Sequence, residues 1–300
     1  MKKVLLTGAN GFLGKYICDH LKKEGVKIYT LGRSKEMDFS VDLANELPSF
    51  DTVFDLVIHS AAKAHFVPRN HKEVKALFNI NVKGTQNLLH ALEHSGAPNR
   101  FVFISSVSVY GLSNGTLIDE NTPLLASDPY GLSKIKGEEL VSVWCNTYNV
   151  KGTILRLPLV FGDNPPGNLG KMIKAIKKGY YFNINNNTAK KSIVFAEDVA
   201  RFITAISKIG GTYNLTDGYH PDFFELSGSI AKRFNKRVPK ILPSWIVIVI
   251  AKIGDLIGKK SIFNSAQYLK IVSSLTFDDR KARDTFRWNS RSVLDILNKK

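Results

Sequence analysis

Tyr130 and Lys134 form the pair of residues whose types and spacing point most directly to chemistry. They stand four positions apart in the stretch YGLSK. Residues four apart share one face of a helix, so the phenol and the ammonium are expected to be neighbours. A free tyrosine titrates near pH ~10, and a nearby positive charge lowers that pKa by stabilising the phenolate. We therefore interpret the pair as an acid–base unit that exchanges a proton with a substrate.

A serine hydroxyl is expected beside this pair. The stretch SSVSVYG, residues 105–111, follows an apolar strand and so lies at the carboxyl edge of the expected sheet. Ligands of open α/β sheets bind at that edge. Ser106 is the preferred candidate for bonding a substrate oxygen or the tyrosine, and Ser105 and Ser108 are the alternatives. Each of these serines could instead bond the main chain of its own loop.

Three glycines, Gly8, Gly11 and Gly14, separate the first apolar strand from a helix in TGANGFLG. This order predicts a dinucleotide-binding turn. The first glycine permits the tight turn, the second lets the main chain approach a pyrophosphate, and the third lets the helix pack closely. The spacing differs by one residue from the commoner Gly-x-Gly-x-x-Gly, so a purely structural turn is the competing interpretation.

The residues after the second strand indicate which dinucleotide binds. An acidic residue there would bond the ribose 2′-hydroxyl of NAD. This chain has Arg33 and Ser34 instead, which could pair with a 2′-phosphate and donate to it. We therefore expect NADP(H), with NAD(H) as the alternative, and we expect Asp42 and Leu43 near the adenine.

Short apolar strands alternate with helices through the first half of the chain, which predicts an α/β fold with a doubly wound parallel sheet of the Rossmann type. Residues 1–165 are predicted to form the nucleotide-binding domain, with 190–215 returning to it, and residues 166–300 mainly a smaller substrate-binding lobe. Within that lobe we expect a loop at 162–168 and a turn or hairpin at 183–191. The predicted strands cover 2–7, 26–31, 55–60, 101–106 and 152–157, and the predicted helices 12–23, 72–94, 130–148 and 171–178.

Composition and charge narrow the classes of partner. The net charge is +16, but the lysines are scattered and no zinc-finger, RRM or basic-zipper pattern is present. We therefore expect a solvated basic surface and no nucleic acid partner. The two cysteines, Cys18 and Cys145, lack metal-ligand spacing, so neither a metal site nor a disulfide is expected, which indicates a reducing, cytoplasmic compartment.

The longest apolar stretch is WIVIVIAKIGDLI, residues 245–257. It is too short to span a bilayer, and no signal peptide is recognised at the start of the chain. Its apolar residues run nearly all round a helix, which predicts a buried helix of the C-terminal lobe. The alternative is a weak peripheral contact with a membrane through its lysines.

Six sequence blocks together resemble the extended short-chain dehydrogenase/reductase family of nucleotide-sugar epimerases, dehydratases and ketoreductases. The resemblance covers nearly the whole chain, and the six blocks, which lie between residues 7 and 162, read TGANGFLG, HSAAKAH, NINVKGTQNLL, FISSVSVYG, YGLSK and LRLPLVFG. The resemblance implies a catalytic triad of Ser106, Tyr130 and Lys134. In it, Tyr130 exchanges a proton with a sugar hydroxyl or ketone, the nicotinamide exchanges hydride, and Lys134 also holds the nicotinamide ribose.

The resemblance also implies the remaining contacts. Asn81 corresponds to the family's helix asparagine near the active site. A nucleoside-diphosphate sugar would contact Ser106, Ser108, Asn168 and Lys191, and the helices near 72–94 and 130–148 would pair two copies into a homodimer. The cofactor would contact Gly8, Asn10, Gly11, Phe12, Leu13, Gly14, Arg33, Ser34, Asp42, Leu43, Ala61, Ala62, Tyr130, Lys134 and Pro158.

Two activities and one non-catalytic role remain after the family's dehydratases are set aside. Dehydratases carry an Asp-Glu pair directly after the catalytic hydroxyl, where this chain has Val107 and Ser108. Ketoreductases use an exchangeable cofactor, usually NADPH, so Arg33 favours a 4-ketoreductase acting on a UDP-4-keto-6-deoxy-hexosamine in surface polysaccharide synthesis. A UDP-hexose 4-epimerase is the alternative, and a catalytically inactive NADP-binding regulator is the least favoured hypothesis.

Overall fold

A seven-stranded parallel sheet forms the centre of the computed structural model, which describes residues 3–258 and 263–299. The strand order is β11-β7-β5-β4-β1-β2-β3, so the chain leaves β1 in one direction and later returns to its other side. This confirms the doubly wound sheet predicted from the sequence. The strands of the sheet are β1 (Lys3–Thr7), β2 (Lys27–Gly32), β3 (Phe39–Ser40), β4 (Leu56–His59), β5 (Arg100–Ser106), β7 (Lys151–Leu157) and β11 (Gly211–Asn214).

Helices cover both faces of this sheet. Successive side chains of a strand point to opposite faces, so β1 places Val4 and Leu6 in one core and Leu5 in the other. The first core is closed by α1 (Phe12–Lys23) and α6 (Ala196–Ser207). The second is closed by α3 (Gly84–Ser95) and α4 (Pro129–Thr147).

The predicted helix at 72–94 is interrupted by a π-helical turn. It consists of α2 (His71–Phe78), the π turn Asn79–Lys83 and then α3. Asn70 caps the start of α2 by accepting a hydrogen bond from the Glu73 main-chain N–H. A π turn inserts one extra residue per turn and often lies at a functional site.

Outside the central sheet and the helices that flank it, the described residues form short parallel strand pairs and six further helices with their intervening loops. Residues 183–191 do not form a hairpin of their own, because β9 at their start pairs in parallel with β12. The strand pairs are β8 (Leu159–Phe161) with β10 (Ile193–Phe195), β9 (Phe182–Ile184) with β12 (Lys240–Leu242), and β6 (Gly115–Ile118) with β13 (Leu275–Phe277). The helices are α5 (Gly167–Lys178), α7 (Phe223–Arg233), α8 (Ser244–Ile257), α9 (Ser265–Val272), α10 (Arg280–Phe286) and α11 (Val293–Asn298).

Helix α8 contradicts one sequence prediction. It was expected to be buried in the lobe, but only Val247, Ala251 and Gly254 are buried, and most of its large apolar side chains face outward. It packs mainly against α9. No helix in the part of the chain that the structure describes is long and apolar enough to cross a membrane.

Candidate functional site

The turn after β1 is a tight cradle that admits only glycine at two positions. Gly8 has a φ of +73°, and a Cβ there would lie 2.7 Å from the Ala61 nitrogen. A Cβ on Gly14 would lie 2.0 Å from the Gly8 carbonyl oxygen. Gly11 begins α1 without a side-chain cap, so the first N–H groups of the helix point to the open side of the turn. This donor set and close approach fit the pyrophosphate of a dinucleotide.

Other predicted cofactor residues surround this cradle. Asn10 is exposed in the turn, whereas Leu13 is buried in the core, so it can reach a ligand only through its main chain. Phe12 packs edge-on against Tyr16 at 5.7 Å. Ala61 closes the cradle from β4 by donating its N–H to the Thr7 hydroxyl at 3.1 Å.

A buried chain of hydrogen bonds holds the carboxyl ends of β1 and β4 together. Thr7 Oγ1 lies 2.7 Å from His59 Nδ1, and Thr85 Oγ1 lies 2.9 Å from His59 Nε2. Since Thr85 donates to the Asn81 carbonyl, its oxygen accepts from Nε2–H, and Thr7 then donates to Nδ1. Burial, with a smaller contribution from the Lys134 charge, lowers the pKa of His59 to about 3, so the ring stays neutral. The sequence reasoning missed this positioning network.

The three candidate catalytic residues come together at the same sheet edge. Ser106 is the last residue of β5, opposite Leu157 of β7, and Tyr130 lies in the first turn of α4. Asp128 starts that helix by accepting from the N–H groups of Tyr130 and Gly131. Burial raises the pKa of Tyr130 to about 12, against a smaller lowering by the neighbouring Ser106 hydroxyl.

Lys134 is placed differently from the sequence expectation. Its Nζ donates to the Ile104 carbonyl at 2.8 Å and lies 4.8 Å from the centre of the Phe103 ring. The expected lowering of the Tyr130 pKa by this ammonium is therefore not found in the protein alone. The side chain is 4% exposed, and burial lowers the pKa of Lys134 itself to about 8, against the opposing attraction of Glu138.

A buried ion pair beneath the site engages the hydroxyl of Ser105, one of the alternative serines. Ser105 donates to Glu138, whose carboxylate also accepts two-pronged hydrogen bonds from Arg156. Arg156 reaches on to the Tyr110 hydroxyl at 3.0 Å. Ser105 is therefore less suited than Ser106 to act as the catalytic hydroxyl, because its proton is committed to Glu138. The sequence offered no signal for this pair, since its members come from α4 and β7.

Asn81 joins the π turn to the catalytic helix. Its side-chain oxygen accepts from the Lys63 N–H at 2.7 Å, and its amide donates to Ser133 Oγ at 2.9 Å. Ser133 in turn donates to the Tyr130 carbonyl at 2.7 Å. The π turn thus directs the buried Asn81 toward α4, where it fixes the start of that helix.

The residues expected around the adenosine lie in the segments that follow β2 and β3. Arg33 is exposed directly after the last residue of β2, and Ser34 accepts weakly from the Glu36 N–H at 3.4 Å. Asp42 caps its own turn through the Ala44 N–H, and Leu43 is buried beside α3. The guanidinium is therefore available for a ligand phosphate, whereas the Asp42 carboxylate already has partners.

The four expected substrate contacts differ in burial and in whether their polar groups already have hydrogen-bond partners. Ser108 Oγ is buried and lacks a hydrogen-bond partner among the described residues. Asn168 is exposed in the first turn of α5, not in a loop as expected. Lys191 is already bonded, because its ammonium donates to the Lys270 and Ser273 carbonyls at 2.8 and 2.7 Å. Pro158, expected beside the nicotinamide, follows β7 and is partly buried next to the Ser106 edge.

The comparisons with known proteins agree with this geometry. A family model described as "NAD dependent epimerase/dehydratase family" matches residues 4–215. An Escherichia coli O157:H7 protein, named N-acetyl-alpha-D-glucosaminyl-diphospho-ditrans,octacis-undecaprenol 4-epimerase, is 27% identical, with 94% of this chain and 89% of its own length covered. A Vibrio cholerae UDP-glucose 4-epimerase is 26% identical, with 98% of this chain and 92% of its own length covered.

Two solved structures share the fold over almost the whole chain. A Thermotoga maritima UDP-glucose 4-epimerase with UDP-glucose has a TM-score of 0.75 at 18% identity, covering 99% of this chain and 96% of its own. A Thermus thermophilus UDP-glucose 4-epimerase with NAD has a TM-score of 0.71 at 22% identity, covering 98% of both chains.

Proposed function

Because this chain belongs to the NAD dependent epimerase/dehydratase family, we propose that it is a 4-epimerase of a sugar diphosphate, with a nucleoside-diphosphate sugar as its soluble substrate. The observation that carries the proposal is the meeting of Ser106, Tyr130 and Lys134 at the sheet edge that also bears the glycine cradle. Relatives named as 4-epimerases match along 94% and 98% of this chain. The 4-epimerase was the alternative hypothesis of the sequence analysis.

Proton transfer at the sugar C4 oxygen is the role assigned to Ser106 and Tyr130. Epimerisation at C4 needs one proton to leave the hydroxyl as a ketone forms and another to return on reduction. Tyr130 is protonated in the protein alone because burial raises its pKa to about 12, so a positive charge must join it before it acts as a base. Oxidised nicotinamide, when bound, supplies that charge and accepts and returns the hydride.

The cofactor's anionic part is assigned to the cradle of Gly8, Gly11 and Gly14 and to the first N–H groups of α1. Lys134 is assigned to the nicotinamide ribose, a role for which its ammonium would leave the Ile104 carbonyl. Ser106 and Ser108 are assigned to the sugar, and Asn168 to the diphosphate side. The Ser108 hydroxyl, without a partner among the described residues, supports the sugar assignment. Lys191 is the weakest assignment, since two carbonyls already hold its ammonium.

A 4-ketoreductase is the second candidate, favoured by Arg33. Its exposed guanidinium directly follows β2, where a 2′-phosphate would lie, and the neighbouring Ser34 offers a hydroxyl. A reductase consumes its hydride and must exchange its cofactor, which fits a preference for NADP(H). An epimerase returns the hydride and can retain NAD(H).

We also propose that the protein is a homodimer formed through α3 and α4. These helices line an outward groove that contains Leu89, Leu140 and Trp144, together with Val143, which is 66% exposed. Val143→Arg should convert the dimer to a monomer in sedimentation analysis, because it places a charge in the centre of this surface.

One experiment separates the two candidate activities. The nucleotide released by denaturing the purified protein is identified by mass, and UDP-glucose and UDP-N-acetylglucosamine are followed by NMR for inversion at C4. Retained NAD(H) with inversion supports the epimerase. An empty protein that prefers NADPH and reduces a 4-keto sugar supports the reductase instead. Tyr130→Phe should lose at least ~100-fold in turnover, whereas the matched Tyr180→Phe, exposed on the C-terminal lobe, should keep it.

A further inference from the structure

The outward face of α8 exposes an unusually large number of apolar side chains to solvent. The helix contacts the protein through a stripe of small or branched residues spaced four and three apart, Val247, Ala251 and Gly254. Large exposed apolar patches on soluble proteins mark binding surfaces. The α8 face consists of seven side chains with 36–89% exposure: Trp245, Ile248, Val249, Ile250, Ile253, Leu256 and Ile257.

The sequence around this face is strongly basic. Between Leu226 and Phe277 the chain has nine Lys or Arg residues and a single acid, Asp255. Asp255 points to α9, where it accepts hydrogen bonds from the N–H and hydroxyl of Ser265. The basic residues are Lys232, Arg233, Lys236, Arg237, Lys240, Lys252, Lys259, Lys260 and Lys270.

We propose that the α8 face docks on the surface of an anionic lipid bilayer. Its apolar side chains would enter the boundary between headgroups and acyl chains. The exposed Lys252 of α8 and Lys270 of the adjacent α9 would contact lipid phosphates. Trp245, 67% exposed in the first turn, suits that boundary because indole is both apolar and a hydrogen-bond donor. The 14-residue helix is about 21 Å long, which suits lying on a bilayer and not spanning it.

Charge argues for lipid over a second copy of this chain. A symmetric contact through α8 would bring two strongly basic segments together, and like charges brought into an interface oppose association. An anionic bilayer instead complements both the apolar face and its basic surroundings. The charge therefore favours a membrane as the occupant.

Docking would place the substrate lobe beside the membrane. Ser244, the first residue of α8, donates to the Asn185 carbonyl at 2.8 Å, and Lys191 holds the last turn of α9. The two helices are thus tied to the 183–191 segment of the lobe. This consequence rests on the proposed function: a sugar diphosphate carried by a membrane lipid would become accessible to the site, in addition to one free in solution.

The test is co-sedimentation of the full chain with vesicles of phosphatidylcholine alone or mixed with phosphatidylglycerol. The wild type should pellet with the mixed vesicles at low salt and remain in solution with the neutral ones. The double variant Ile253→Glu/Leu256→Glu should lose at least tenfold in apparent vesicle affinity. Leu47→Glu, at an exposed leucine on the nucleotide-binding half, should pellet like the wild type.

Three results would overturn the docking proposal. The wild type could stay in solution with mixed vesicles, or the double variant could bind as well as the wild type. Alternatively, the double variant could turn a dimer into a monomer with no vesicle binding by either form, which would make the face a self-association surface. Turnover of UDP-sugars in solution is measured separately and should be equal in all forms, so inactivity of every form would contradict the proposed function and not the docking.

Discussion

Gly14→Ala is the substitution that tests the cradle most directly. The added methyl would sit 2.0 Å from the Gly8 carbonyl oxygen and 3.0 Å from the Ala9 Cα. Real Cβ contacts essentially never fall below 3.0 Å, so α1 and the turn must separate by about 1 Å. The oxygen belongs to the main chain and cannot rotate away as a side chain would. The separation displaces the N–H groups that face the expected pyrophosphate.

The size of the effect follows from two opposing contributions. Overpacking costs about 1–3 kcal/mol, and alanine in place of glycine inside a helix returns about 0.5–1 kcal/mol. A net loss of about 1–2 kcal/mol lowers Tm by roughly 2–8 °C in a chain of this size. Displaced donors should also weaken dinucleotide binding about tenfold or more, equivalent to roughly 1.4 kcal/mol.

Gly228→Ala is the matched control, because Gly228 also lies inside a helix, α7, but has no atom within 4 Å of an added Cβ. This variant should gain about 0.5–1 kcal/mol and bind the dinucleotide as the wild type does. Thermal unfolding gives Tm, and fluorescence titration with NADH and NADPH gives Kd. If Gly14→Ala matched Gly228→Ala in both quantities, the close approach of α1 to the turn would not be what forms the cradle.

Three further predictions use other parts of the site. For Lys134→Met, the native pKa of about 8 lies below the ordinary 10.5, so the native wild type binds fewer protons than its unfolded chain between those pH values. The free energy of unfolding of the wild type should therefore rise relative to that of Lys134→Met by up to about 3 kcal/mol as the pH increases from 8 to 10.5. If urea unfolding gives the same difference between the two proteins at every pH, this prediction is contradicted. Arg33→Ala should weaken NADPH at least about tenfold while leaving NADH nearly unchanged, and equal losses in titration would remove its assignment to a 2′-phosphate. Glu138→Gln should lower the free energy of unfolding by about 3–5 kcal/mol, because it leaves the Arg156 charge buried and unpaired. Glu139→Gln, which breaks an exposed pair with Lys136, should change that free energy by less than about 1 kcal/mol. Similar losses in the two variants would refute the buried-pair argument.

Local sequence patterns predicted the doubly wound sheet, which the structure confirms, and together with the family resemblance they nominated the residues of the candidate site. Short apolar runs that alternate with helical segments predicted the strands, and the spacing of Gly8, Gly11 and Gly14 predicted the turn and the helix behind it. Ser106 was placed at the carboxyl edge of the sheet because it ends an apolar strand, and the family resemblance grouped it with Tyr130. Each of these inferences depends on a few neighbouring residues, whose conformational preferences act locally.

The interactions between distant segments could not be predicted in the same way. Glu138 meets Arg156, and His59 meets Thr7 and Thr85, because β1, β4, β7 and the helices pack in one particular register. The same packing sets the pKa of Tyr130. The Tyr-Lys spacing alone predicted a lowered pKa, whereas burial raises it.

The sequence by itself determined the fold class, the dinucleotide turn and the catalytic candidates, because these depend on residue type and short-range spacing. Only the tertiary structure decided that Ser105 and Lys191 already have partners and that the apolar α8 lies outside the core. Whether a hydroxyl, an ammonium or an apolar helix face is available depends on what the rest of the chain packs against it. That is a property of long-range packing, which no local pattern encodes.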